Sequence, residues 1–141
     1  MYKINANFPA VSPNMAEIFR LSAEQGLAAA QFYLGLMYFD GCIVSKDYAE
    51  AFKWYHLSAE QGHAEARYHL GICLFNGDGT APDKTEGLRW IRQAARQGLA
   101  EAQYNLGICL LYGDGAAKNE TEAVRWIRRA ADQGHPQAKK F

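Results

Sequence analysis

The chain has 141 residues, 49% of them hydrophobic, with 15 basic and 15 acidic side chains and zero formal net charge. That is enough to fold as one domain, and there is no basic excess to neutralise phosphates, so nucleic acid is not an expected partner. No run approaches the roughly 18 apolar residues of a membrane span, and the opening residues lack the charged and apolar regions of a secretory signal, so a cytoplasmic protein without membrane insertion is expected.

Residues 1–11 read as irregular. Ser12 and Pro13 form a start signal, a side-chain cap followed by proline at the first helical position. The helix they open, to about residue 25, carries Met15, Ile18, Phe19, Ser22 and Ala23 on one stripe. Residues 12–26 therefore read as half a repeat that caps the rest of the chain.

From there the sequence repeats itself. Gln25-Gly26, Gln61-Gly62, Gln97-Gly98 and Gln133-Gly134 recur every 36 residues, as do Trp54, Trp90 and Trp126 and the pairs Leu34-Gly35, Leu70-Gly71 and Leu106-Gly107. The period divides the chain into units 27–62, 63–98 and 99–134. In each unit a first helix carries a stripe such as Ala102, Leu106 and Leu110, then a glycine ends it. Asp47, Asp83 and Asn119, each with glutamate three residues on, read as capping boxes that start the second helices. Their buried stripes are Ala51, Trp54, Tyr55, Ser58 and Ala59 in the first unit and Ala123, Trp126, Ile127, Ala130 and Ala131 in the third. Gly62, Gly98 and Gly134 stop these helices. Glycine inside a helix costs about 0.5–1 kcal/mol against alanine, so Gly35, Gly71 and Gly107 imply close helix approach, with a tryptophan expected across the gap. Gly87, where the other copies have alanine, is expected to loosen its helix, and the first loop, Asp40-Gly41-Cys42-Ile43, to differ from the GDG loops of the other copies. Residues 135–141 begin a further first helix without completing it. Apolar surface around Trp126 and Ile127 is therefore expected to stay partly exposed and to favour weak end-to-end self-association.

The pattern A-x-A-x-x-x-L-G, a glycine-rich loop, then W-[YI]-x-x-[AS]-A-x-Q-G, covering about residues 27–134, resembles the Sel-1-like repeat, a longer-looped relative of the tetratricopeptide repeat. The resemblance implies an all-α, right-handed α-α superhelix, a solenoid of antiparallel helix pairs. It also implies a scaffold for protein complexes, often in bacterial signalling or envelope-linked assemblies.

The candidate binding residues form a second, variable stripe on the first helices: Ala29, Tyr33, Leu36 and Asp40, then Glu65, His69, Ile72 and Asn76, then Glu101, Asn105, Ile108 and Tyr112, flanked by Phe32, Tyr68 and Tyr104. Apolar centres bordered by varied polar groups suit a concave groove that grips a protein or peptide segment. The alternative is that Leu36, Ile72 and Ile108 only seal contacts between repeats. His63 and His135, each just after a Gln-Gly stop, read as packing or capping groups, and His56 as solvated. Lys53, His56, Arg89, Arg92, Arg125, Arg128 and Arg129 form a basic ridge on the second helices, read as a solvated face. Cys42, Cys73 and Cys109 lack the spacing of a zinc site, and Met37 stands where Cys73 and Cys109 recur, which suits core filling. The GDG loops lack a calcium ligand run. No cofactor and no catalytic set is expected. A hydrolase that joins His69 to an activated thiol or hydroxyl, and a purely structural unit that associates through its ends, are the competing readings.

Overall fold

The computed structural model describes residues 13–141, so the readings of residues 1–12, the Ser12 cap included, lie outside the described residues. The helices are α1 (Pro13–Glu24), α2 (Ala28–Asp40), α3 (Tyr48–Glu60), α4 (Ala64–Asn76), α5 (Lys84–Arg96), α6 (Ala100–Tyr112) and α7 (Glu120–Asp132), then a 3-10 turn at Ala138–Lys140. Among the described residues there is no strand. Each helix packs mainly on the one before and the one after it, so the core runs along the chain as a helical repeat solenoid.

The helix boundaries follow local chemistry. α2, α4 and α6 end on left-handed glycines, Gly41, Gly77 and Gly113, whose N–H groups donate to the carbonyls of Met37, Cys73 and Cys109. α3, α5 and α7 start on Asp47, Asp83 and Asn119, whose side chains accept the N–H of Glu50, Glu86 and Glu122. In two copies the glutamate acts elsewhere than in a reciprocal capping box. Glu50 and Glu122 accept the indole N–H of Trp54 and Trp126 one turn on, at 3.2 and 3.3 Å. The first loop keeps the backbone path of the others: Ile43 takes φ 72° where Gly79 and Gly115 have 78° and 82°. The expected difference is therefore in the side chain, a β-branched residue held in a region it rarely adopts.

The intrahelical glycines do mark close approach, but tryptophan is not what fills the gap. A Cβ on Gly35 would lie 2.6 Å from the Tyr55 ring, and one on Gly107 2.5 Å from Ile127 Cγ1. At Gly71 it would meet both the Gly87 carbonyl and Ile91, each at 2.6 Å. The residue after each tryptophan is the one that faces the first helix. Gly87 lets the α4 and α5 backbones touch: a Cβ there would lie 2.6 Å from the Gly71 carbonyl oxygen.

Trp54 and Trp126 are 8% exposed, whereas Trp90, expected to anchor the middle repeat, is only half-buried beside the His56 ring and the Arg67 guanidinium. Ile91, at 1% exposure, occupies the core of α5. Ile91→Ala is expected to cost about 2–5 kcal/mol by loss of burial and cavity formation. Trp90→Ala, though it removes more atoms, should cost less, about 1–2 kcal/mol. Urea midpoints of the two variants check the order, and a larger loss at Trp90 would reverse it.

Neighbouring repeats are also stitched by side-chain amides. The Nε2 groups of Gln61, Gln97 and Gln133 donate to the carbonyls of Gly26, Gly62 and Gly98 at 2.7–2.8 Å. Gln61 and Gln133 donate as well to the buried Gln31 and Gln103, which in turn donate to the Ala23 and Ala95 carbonyls. In the middle repeat Arg67 takes the equivalent place, donating to the Ala59 carbonyl and to Gln97.

Both ends depart from expectation. On α1, Phe19 packs on Tyr33 and Ala23 is buried, but Ile18 is exposed. At the other end Trp126 and Ile127 are buried. The side chain of His135 accepts the N–H of Ala138, and Ala138 packs with Ile127. The open apolar side chains there are Val124 and Phe141.

Candidate functional site

The first helices α2, α4 and α6 share a face that polar and aromatic contacts knit across repeats. Phe32 of α2 packs edge-on against His69 of α4 at 5.2 Å. Asn105 of α6 donates its amide N–H to the Tyr68 hydroxyl of α4. Tyr104 stacks on His135 at 4.6 Å, and His135 Nε2 lies 2.7 Å from Glu101 Oε2. Between α4 and α6 lies a hollow of about 380 Å³ lined by Glu65, Tyr68, His69, Leu99 and Glu101.

The candidate residues separate by burial. Glu65, Asn76, Glu101 and Tyr112 are exposed. Tyr33, Asp40, Tyr68, His69, Ile72, Tyr104, Asn105 and Ile108 are half-buried. Leu36 belongs to the core at 2% exposure, as does Phe32, expected to flank the stripe, so neither can line a groove. The physical reason is their neighbourhood: they join Leu34 and Met37 in the first hydrophobic cluster, which makes α2 buried over more of its circumference than its sister helices. His69 is more enclosed than a surface residue should be. Its Nδ1 is 2.8 Å from the Glu65 carbonyl, and the rings of Phe32, Tyr55 and Tyr68 surround it. Burial pushes its pKa below the usual imidazole value, as it does for His63.

The remaining groups of chemical interest have structural partners. Burial, with a smaller push from Asp78, raises the Cys73 thiol to about 12; burial, with Asp114, raises Cys109 to about 11. Both are protonated at neutral pH, the reverse of an activated nucleophile. His63 caps α4 through the Ala66 N–H. Asp114 of the third loop pairs with Lys84 at 2.9 Å, and among the described residues no cluster could hold a metal ion. The basic ridge is largely balanced: Lys53 pairs with Glu50, His56 with Glu60, Arg89 with Glu86 and Arg92 with Glu122, and Arg129 lies over the Trp126 ring. The Arg92 pairing holds the Glu122 carboxyl below its usual range.

Leu99 lines this face and escaped sequence reasoning, whereas His135, read as a packing or capping group, does both: it caps the final turn through Ala138 and stacks on Tyr104. The signal was present: Leu27, His63, Leu99 and His135 occupy one repeat position, immediately before each first helix or, at His135, before the final turn.

The Sel1 repeat family model matches residues 28–63, 64–99 and 100–135. A protective antigen with an SLR fold from uropathogenic Escherichia coli strains is 38% identical, with a TM-score of 0.85 over 92% of this chain and 27% of that one. A Sel1 repeat protein from Oxalobacter formigenes is 37% identical, with a TM-score of 0.84 over 90% of this chain and 51% of that one. This chain thus spans about a quarter and about half of their lengths. Cysteine rich protein B of Helicobacter pylori shares the fold at 19% identity, with a TM-score of 0.69 over 89% of this chain and 95% of that one. No curated protein sequence matches the chain. No helix among the described residues is long and apolar enough to cross a membrane.

Proposed function

The chain belongs to the Sel1 repeat family, whose members are generally protein-interaction scaffolds, and from that premise we propose that its first-helix face grips a segment of another protein. The observation that carries the reading is the face between α4 and α6, where half-buried Tyr68 and Asn105 are already fixed to each other across a repeat boundary. Side chains held in place before binding lose little freedom when a partner arrives. Tyr112, Asn76, Ile72 and Ile108 extend the same face with mixed polar and apolar surface, the composition of an interface rim and centre. The protonated thiols give a hydrolase no support. Association through the end of α7 rests on Val124 and Phe141, which border a hollow of about 280 Å³.

The test separates binding from folding. Asn76→Ala and Tyr112→Ala are expected to change stability by about 0.5 kcal/mol or less, as surface changes usually do; Asn105→Ala, which loses the bond to Tyr68, should cost about 1 kcal/mol. One or two of them should weaken a captured partner by more than about 1 kcal/mol, since a few residues dominate most interfaces. Arg89→Glu and Arg125→Glu on the opposite face serve as controls; Arg92 does not, because it bridges α5 to α7. Titration of a partner recovered from source cells against each variant gives the readout. Loss in the arginine variants with retention in the first-helix variants would move the interface to the second helices.

A further inference from the structure

The first helices carry few charges, and most of those are acidic. On α2, α4 and α6 the charged residues are Asp40, Glu65, Arg67 and Glu101. Arg67 is turned away to the repeat joint, where it donates to the Ala59 carbonyl and to Gln97 and lies over the Trp90 ring. The hollow between α4 and α6 therefore has carboxylates on its rim and no cation. Glu65 is exposed and, among the described residues, forms no ion pair. Glu101 is half exposed, and His135 occupies only its Oε2.

Two surface acids would not make a receptor; what lies between them does. The wall is made by Tyr68 and His69; a cation is stabilised over the face of a tyrosine ring, and Leu99 supplies apolar surface for a methylene stem. Asn105 donates to the Tyr68 oxygen, so the tyrosine keeps its own hydroxyl proton to give to a main-chain carbonyl. We infer that this hollow takes the lysine or arginine side chain of an extended partner segment, its charge between Glu65 and Glu101 and its stem along Leu99 and Tyr68. The inference rests on the reading of this face as the partner-binding surface and names the chemistry of that partner.

The probe is the capped tripeptide acetyl-Ala-Arg-Ala-amide, matched against the same peptide with citrulline, which keeps the shape of arginine and removes its charge. In amide spectra of the isotope-labelled protein, the arginine peptide should shift residues 65–69 and 99–105 and the citrulline peptide should not. Glu65→Gln with Glu101→Gln, which keeps an acceptor for His135, should weaken the arginine peptide at least about tenfold, the size of a lost charge-assisted hydrogen bond. Glu17→Gln on α1 should leave it unchanged. Equal shifts from both peptides, no shift from either, or full affinity in the double variant would each overturn the inference. None of those results would restore or remove the effect of Asn76→Ala and Tyr112→Ala, outside the hollow, on a whole partner, which decides the broader reading independently.

Discussion

Gly79→Ala is expected to lower stability by about 3 kcal/mol or more, while Gly98→Ala lowers it by only about 1–2 kcal/mol. Both glycines have positive φ, 78° and 101°, so both substitutions carry the cost of placing a Cβ in the left-handed region. They differ in what surrounds them. Around Gly98 an added Cβ meets nothing within 4 Å, whereas at Gly79 it falls 2.2 Å from the Tyr48 carbonyl oxygen. Tyr48 opens α3, so the loop of the second repeat rests directly on the backbone of the first, and a backbone atom cannot swing aside as a side-chain tip can. The gap between the two variants measures that contact alone. Urea unfolding with unchanged slopes provides the numbers, and equal losses would show that the loop yields without cost.

Tyr55 should divide cleanly into a ring that matters and a hydroxyl that does not. The side chain is fully buried, its ring lying against the Gly35 backbone and near Phe32, Phe39 and His69. Tyr55→Ala is expected to cost about 3–5 kcal/mol, as large aromatic truncations in cores do. The hydroxyl, however, is buried with no hydrogen-bond partner among the described residues. A buried hydroxyl without a partner costs free energy, so Tyr55→Phe should raise stability, by up to about 1 kcal/mol. The equivalent residues Ile91 and Ile127 carry no polar atom, which agrees with a position that needs bulk alone. Thermal and urea midpoints decide the sign; a clear loss in Tyr55→Phe would mean that the hydroxyl is held by a contact of its own.

Much of this architecture is legible in the period. Repeated caps and stops act within a few residues of where they are written, so Asp47, Asp83, Asn119 and the closing glycines fix helix boundaries locally. What the period does not convey is which of two adjacent bulky residues faces the partner helix. Trp54 and Tyr55 are both apolar and sit next to each other on α3, a rotation of about 100° apart, and only the glycine contact shows that Tyr55 turns inward. Leu36 illustrates the same limit. It shares a repeat position with Ile72 and Ile108, yet it is buried while they are half-exposed, because Phe32 and Met37 extend the core around α2. The glutamines before each stop were visible as a repeated letter, but their role depends on carbonyls 35 residues earlier, beyond the reach of local reasoning.

Those glutamines have a mechanical consequence. Every stitch lies at the same rim of the solenoid, where a second helix ends and the next first helix begins, while the opposite rim is held by loop packing such as Gly79 on Tyr48 and by the Lys84–Asp114 pair. A stack tied along two parallel edges behaves like a laced spine: it resists twisting and changes curvature only if one lacing lengthens. The amide-to-carbonyl bonds tie the stitched rim at lengths that tolerate little stretch, beside the packing of each helix on its neighbours. A swap of glutamine for a shorter residue at one stitch would untie that joint and leave the other stitches and the helix packing in place.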